Sequence, residues 1–188
     1  KSGILLDPAC GSGGMFIQSA ELVKSKQGNL NSINIYGQEK EAATYRLAKM
    51  NLALRGISHN LGATHDSTFT HDLHKGLYFD YIMANPPFNL KGWFDETLAN
   101  DARWADYAVP PASNANYAFV LNCLARAKEK AVLILPNGIM SERAEYDCRQ
   151  YLVDNDLIET VIIMPEKMFE VTSISTCILV LNKNKKHK

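Results

Sequence analysis

Three features of this 188-residue chain predict an α/β fold with a mainly parallel sheet, an antiparallel pair of strands at its C-terminal end and helices on both faces. Short apolar runs alternate with segments of helical spacing, the pattern of helices packed on parallel strands. A glycine-rich turn follows the first apolar run directly. The last two apolar runs are joined by a connection short enough for antiparallel pairing.

In chain order, Ile4-Leu5-Leu6 reads as the first strand, residues 11–14 as a turn and residues 15–23 as a helix. Asn34-Ile35-Tyr36-Gly37 reads as the second strand. Residues 40–55 have helical spacing, with an apolar face expected to include Tyr45, Leu47, Ala48, Leu52 and Leu54, and Gly56 is suited to stop the helix. A weaker strand is expected near Ala63-Thr64, ahead of Asp66. Residues 78–84 form a clear strand and residues 89–115 a long polar-aromatic loop. A buried helix over 117–127, a strand over 131–135 and a helix over 141–155 follow. Residues 159–164 and 176–182 are the last strands. The expected organisation is one domain over residues 1–182 and a basic tail over 183–188, with no repeats or linkers.

Hydrophobic residues make up 46% and charged residues 21%, a globular balance that argues against disorder. No uncharged apolar run is long enough to span a bilayer, and the opening Lys1-Ser2-Gly3 is not a signal peptide. The four cysteines lie far apart, which fits a reduced, cytoplasmic protein with neither a disulfide framework nor a zinc site. His71 and His74 stand close together in a polar stretch and read as surface residues rather than metal ligands. The chain passes almost at once into a strand, so a fragment of a longer protein is expected. Lys+Arg and Asp+Glu are both 20. A protein that grips DNA alone usually carries a basic excess. If DNA is the substrate, most of the affinity is expected to come from other segments or subunits.

The first chemical signal is Asp7-Pro8-Ala9-Cys10-Gly11-Ser12-Gly13-Gly14, between a strand and a helix. In open α/β sheets ligands bind at the carboxyl ends of strands. Glycines there permit positive φ and close approach of a ligand to the backbone. The helix N-terminus offers N–H groups to an anionic group such as a carboxylate. A phosphate-binding P-loop needs Gly-Lys-Ser/Thr, and no lysine follows. A dinucleotide loop needs a third glycine where Phe16 stands, and an acidic residue suits a pyrophosphate badly. S-adenosylmethionine carries no phosphate and has a cationic amino group and sulfonium, so Asp7 attracts it. The plain alternative is a bare strand–helix turn. Glu39, after the second strand, can accept hydrogen bonds from ribose hydroxyls, or serve only as a helix-start carboxylate. Asp66 can accept from an adenine amino group, or simply shape a turn or N-cap at Asp66-Ser67-Thr68.

The second signal is Asn85-Pro86-Pro87-Phe88, at the end of the strand over 78–84. Each proline disfavours helix in the residue before it, so the peptide is rigid. The Asn85 side chain and the Pro86 carbonyl can then be held towards an exocyclic amino group conjugated to a ring. Two oxygens accepting its N–H bonds draw that nitrogen towards tetrahedral geometry, with its lone pair aimed at a sulfonium methyl. Held geometry supplies much of the acceleration of an in-line displacement. The same oxygens stabilise positive charge developing on nitrogen. No histidine base is required. Phe88 is placed to stack on a base that has left the duplex. The plain alternative is a Pro-Pro strand terminator beside a core phenylalanine.

These paired motifs resemble those of amino-group DNA methyltransferases, and the chain as a whole resembles the modification subunit of type I restriction-modification systems. Gly37-Gln38-Glu39, the stretch from Met50 through Ile57, Asn116-Tyr117-Ala118-Phe119 and Leu135-Pro136-Asn137-Gly138 extend the likeness along nearly the whole chain. The resemblance implies a Rossmann-like S-adenosylmethionine-dependent methyltransferase fold and N6-adenine methylation of DNA. It assigns Asp7, Gly11 and Gly13, with the intervening Pro8 and Ala9, to the methionine end of the cofactor, Glu39 to ribose and Asp66 to the cofactor adenine. Asn85, Pro86, Pro87 and Phe88 go to catalysis at the target base, with Asn85 also beside the cofactor. It implies DNA, a specificity subunit and a restriction nuclease subunit as partners in a hetero-oligomer. A cofactor-binding segment and a helical region that such enzymes carry ahead of the first strand are not in this sequence.

Two other functions remain open on the sequence. Asn-Pro-Pro motifs also occur in methyltransferases acting on guanine in RNA or glutamine in protein, and a non-catalytic S-adenosylmethionine-binding module is a third reading. The loop residues Trp93, Phe94, Arg103, Trp104 and Tyr107 can flank a flipped base, or pack the loop onto its own domain.

Overall fold

The computed structural model describes residues 3–105, 107–169 and 173–185. The chain divides into two compact units, Lys1–Ala84 and Asn85–Lys188. The first contains β1 (Gly3–Asp7), α1 (Gly14–Ser25), β2 (Ile33–Gly37), α2 (Ala42–Leu54), β3 (His59–Asn60) and β4 (Phe79–Ala84). Its strands run in the order β3-β2-β1-β4 and are all parallel. The long connections that parallel neighbours need run through α1 between β1 and β2 and through α2 between β2 and β3, while a helix-free stretch leads from β3 to β4.

The register Leu5↔Ile35 places both side chains in one apolar cluster with Phe16 and Ala20 of α1 and Tyr45, Ala48 and Leu52 of α2. The buried positions of α2 follow the i, i+3, i+7 spacing of one helix face. Leu47 and Leu54, expected on that face, are instead 42% and 76% exposed. Leu47 is two residues from Tyr45 and so about 200° round the helix. The third strand also differs from expectation. It is His59–Asn60, paired with Ile35 and Tyr36, and not the stretch near Ala63-Thr64. Gly62 has φ 80° and donates its amide to Asn60 Oδ1, which turns the chain away from the sheet before residue 63.

The second unit contains the loop over 85–115 with a 3-10 turn at Glu96–Leu98, then α3 (Asn116–Arg126), β5 (Ala127–Pro136), α4 (Tyr146–Asp154), β6 (Ile158–Ile163) and β7 (Thr176–Asn182). The strand order is β5-β7-β6. The expected antiparallel pair of β6 and β7 is present, and β5 is also antiparallel to β7. The chain therefore has the mixed, mostly parallel architecture that its pattern predicts. The buried helix predicted over 117–127 is α3, whose residues are buried almost all round. β5 starts earlier than its apolar run, because Lys130 already pairs with Asn182. The helix expected over 141–155 is shorter, with the 3-10 turn Arg143–Glu145 leading into it. Lys183 donates from Nζ to the Ala127 carbonyl, and Lys185 to that of Ile158, so the start of the basic stretch is tied to this unit. Residues 186–188 of the expected tail lie outside the described residues.

Gly37 ends β2 where no side chain fits. A Cβ there would stand 2.7 Å from Leu61, 2.9 Å from Phe16 and 3.1 Å from Cys10 Sγ, all buried. Gly37→Ala should therefore destabilise the protein by about 1–3 kcal/mol through overpacking, read as a lower midpoint in urea with an unchanged m-value.

Candidate active site

Asp7 closes β1 and is 2% exposed. Its Oδ1 accepts from the Ala9 amide at 3.0 Å, which folds the chain sharply after the strand. Burial, opposed by that bond and reinforced by the negative charge of Glu39, raises the Asp7 carboxyl to about 7. Pro8 is buried and Ala9 half-buried. Gly11 and Gly13 have φ of 55° and 82°, the left-handed region that glycine enters freely. Gly13 stands just ahead of α1, and Asn51 of α2 donates to the Ser12 carbonyl at 3.0 Å, bracing the turn. Burial, with the charges of Asp7 and Glu39, pushes the Cys10 thiol far above its usual range, which favours the neutral thiol.

Glu39 is half-buried and reaches back to this turn. Its Oε2 accepts from Gly11 N at 3.0 Å, and its Oε1 accepts from Glu41 N at 2.8 Å. Asp66 is joined to the same group, since its amide donates to the Glu39 carbonyl at 2.9 Å. Its Oδ1 accepts from Ser67 N at 2.7 Å and its Oδ2 meets His71 Nδ1 at 2.6 Å. Desolvation works against ionisation of Asp66, but the bonds from His71 and Ser67 outweigh it and hold the carboxyl below its usual range. The first unit thus gathers Asp7, Gly11, Gly13, Glu39 and Asp66 beyond the carboxyl ends of β1 and β2. These acids and flexible turns suit a cationic ligand.

Gln38 makes that gathering possible, although only its place beside Glu39 was visible in the sequence. It is 1% exposed. Its Nε2 donates to the carbonyls of Asp66 (3.1 Å) and His71 (2.8 Å), and its Oε1 accepts from Leu73 N. Its main chain bonds to the Asp7 carbonyl and the Cys10 amide. The histidines also need correction. His71 is exposed as expected, but His74 is buried, with Nε2 2.8 Å from the Gly37 carbonyl and its ring edge-on to Tyr36. The contact of Nε2 with the Gly37 carbonyl and the packing against Tyr36 hold the ring inside, where the polar surroundings in sequence suggested a surface.

In the second unit, Asn85 is half-buried, and its side chain has no hydrogen-bond partner among the described residues. Pro86 is buried and Pro87 exposed. Phe88 is half-buried, its ring edge-on to Phe169 at 5.7 Å. Asn89 turns the chain with φ 53°. The first residue of α3, Asn116, grips this turn: Asn89 N donates to its Oδ1 at 3.0 Å, and its Nδ2 donates to Asn89 Oδ1 at 2.9 Å. The long loop packs on itself. Trp93 and Trp104 are buried and meet edge to face at 5.8 Å, and their indole N–H groups donate to the carbonyls of Pro111 and Leu98. Phe94 lies edge-on to Trp93 and Tyr107 against Tyr151. Arg103 pairs with Asp101, donates to Asn122 and covers Trp104. These side chains form the loop's own core, the packing reading of the two that the sequence left open.

The whole chain, residues 1–188, matches the family model described as N-6 DNA Methylase. It is 42% identical over 191 residues to the type I restriction enzyme HindI methylase subunit of Haemophilus influenzae, covering all of this chain and 43% of that protein. It is 33% identical over 193 residues to the type I restriction enzyme MjaIX methylase subunit of Methanocaldococcus jannaschii, covering 98% of this chain and 34% of the relative. The crystal structure of a type I restriction-modification system methyltransferase subunit from Streptococcus thermophilus is similar with a TM-score of 0.85 and 29% identity, over 97% of this chain and 40% of that one. The chain spans less than half the length of each.

The raised Asp7 carboxyl has a consequence for stability. Its folded value lies above the ordinary 3.8, so protonation favours the folded state. The stability it contributes is complete below about pH 4 and is lost as pH rises through about 7. Asp7→Asn, measured without cofactor, should melt several degrees above the wild type at pH 8, and that advantage should shrink as pH falls and vanish at about pH 4. A variant that melts lower at pH 8 would contradict the electrostatic account.

Proposed function

Because the chain belongs to the N-6 DNA methylase family, we propose that it is the catalytic core of an S-adenosylmethionine-dependent DNA methyltransferase that modifies N6 of adenine, within the modification subunit of a type I restriction-modification system. Its relatives are named as methylase subunits of type I restriction enzymes, and they support this reading. The proposed partners are DNA, a specificity subunit and a restriction nuclease subunit, in the cytoplasm. Formal net charge is zero, in keeping with DNA affinity contributed by the rest of the complex.

The observation that carries the reading is Asn85. Asn85 is half-buried, its side chain bonds to no described residue, and it stands on a peptide stiffened by two prolines. Its oxygen is available to a ligand amino group, with the Pro86 carbonyl as the second acceptor.

The residues of the first unit fit the cofactor. Asp7 is a buried carboxylate, suited to a cationic amino group. Gly11 and Gly13 leave the turn without side chains where a ligand approaches. Glu39 and Asp66 retain lone pairs beyond their backbone bonds for ribose hydroxyls and an adenine amino group. When bound, S-adenosylmethionine supplies an electrophilic methyl group on a sulfonium. The work of the protein is to orient. Asn85 and Pro86 accept the two N–H bonds of the target amino group, turn its lone pair out of conjugation and stabilise the positive charge that develops on it. Phe88 stacks on the extrahelical base and excludes water.

The test uses the full-length parent protein with its specificity subunit, methyl-labelled S-adenosylmethionine and unmethylated DNA, followed by digestion to nucleosides. Label is expected in N6-methyladenine. Asn85→Ala should reduce its formation by at least ~100-fold while cofactor Kd is retained. Label in RNA or protein but not in DNA would overturn the choice of acceptor. Cofactor affinity should also weaken as pH falls below about 7, where Asp7 of the free protein takes up a proton. A pH-independent Kd would remove Asp7 from the cofactor site.

A further inference from the structure

Glu145 stands immediately before α4, and its side chain caps no amide of that helix. Its side chain turns inward instead and is 1% exposed. Oε1 accepts from Asn116 Nδ2 at 3.3 Å, while Oε2 is buried with no hydrogen-bond partner among the described residues. Both groups border a polar cavity of about 100 Å³, together with Asn89, Ser113, Asn114 and Glu142. A buried carboxylate with one oxygen unsatisfied is costly. A helix start alone does not require it.

We propose that Glu145 is a positioning residue for the Asn85–Phe88 turn, acting through Asn116 and Asn89; the proposal rests on the base-holding role assigned to that turn. Asn116 Nδ2 has two hydrogens, one given to Asn89 Oδ1 and the other to Glu145 Oε1. Its Oδ1 accepts from Asn89 N, and its own amide donates to Asn114 Oδ1. Every polar group of Asn116's side chain is thus committed. A flipped amide would set Oδ1 against Glu145 Oε1 and Asn89 Oδ1, and Nδ2 against the Asn89 N–H. Glu145 thus reinforces the orientation of Asn116 that Asn89 N and Oδ1 require. Asn89, at φ 53°, follows Phe88 directly, so the direction of the turn is set by this chain of bonds. Arg149 steadies the same region by donating to the carbonyls of Ile139 and Glu142.

A donor–acceptor exchange tests the coupling. Asn116→Asp places a carboxylate against Glu145. In the full-length complex it should lower kcat for adenine methylation by about 100-fold, with cofactor Kd little changed. Adding Glu145→Gln supplies an amide donor to the new carboxylate, and Asn89, which is exposed, can turn its own amide to match. The double variant should recover to within about tenfold of wild type, although it carries more changes than the single one. A purely structural Glu145 predicts the reverse, with the double variant as impaired as Asn116→Asp or worse, and that result would overturn the proposal. Should Asn116→Asp fail to fold, Glu145→Ala and Glu145→Gln decide. The glutamine keeps an acceptor for Asn116 and should retain most activity, whereas the alanine should lose it. Equal loss in both would refute the role. Hydrogen exchange at the Asn89 amide follows the same order independently of the methyl acceptor: fast in Asn116→Asp and slowed again in the double variant. Exchange that ignores the substitutions counts against the proposal even if the wild type transfers no methyl to DNA, an outcome that by itself would fault only the choice of substrate.

Discussion

The candidate cofactor cluster depends on the burial of one neutral amide. Gln38 carries donors and an acceptor into an environment that water does not reach, and each must be matched. The matches are supplied by the turn after β1 and by the stretch from Asp66 to Leu73. Satisfying Gln38 therefore brings together segments roughly thirty residues apart in sequence. Gly37 beside it allows the packing to close, because Leu61, Phe16 and Cys10 occupy the space of a side chain. His74 completes the arrangement from the other side by bonding to the Gly37 carbonyl.

On this frame the acids serve two ends. Glu39 gives both oxygens to backbone amides, and Asp7 gives one to Ala9. These bonds shape the turns, yet they leave negative charge concentrated at the strand ends. Burial makes the charge of Asp7 unfavourable and the charge of Glu39 adds to it, so its carboxyl is raised.

The second unit uses a different device. Its catalytic candidates lie on an irregular turn, and irregular turns have no ladder of their own to orient them. The orientation is borrowed from the first residue of a buried helix, through Asn116 and Asn89. The aromatic loop that follows is self-supporting, with Trp93 and Trp104 as its core and Arg103 fixed by Asp101 and Asn122. The aromatic residues of the loop thus have packing partners of their own.

Much of this was legible in the linear chain. Strand and helix identities followed from alternating apolar periods, and the two motifs stood out because glycine and proline restrict the backbone locally, whatever their surroundings. Asp7, Gly11, Gly13, Glu39 and Asp66 are neighbours in space largely because they follow successive strands of one parallel sheet, a rule that operates on sequence order. Local rules failed where distant partners decide. The third strand moved from Ala63-Thr64 to His59–Asn60 because pairing with Ile35 and Tyr36 outweighs local preference. His74 was read as a surface residue because its sequence neighbours are polar, whereas its spatial neighbours are Tyr36 and the Gly37 carbonyl. Leu47 and Leu54 were expected on the apolar face of a helically spaced segment, but the buried face is that of Tyr45, Ala48 and Leu52 and theirs is the other. The sequence by itself determined which elements form, in what order, and which residues carry the two motifs, since these depend on backbone freedom and periodicity. Only the tertiary structure decided which polar side chains are buried and with whom they bond. Gln38, Asn116 and Glu145 are ordinary residues until folding removes the water that would otherwise satisfy them.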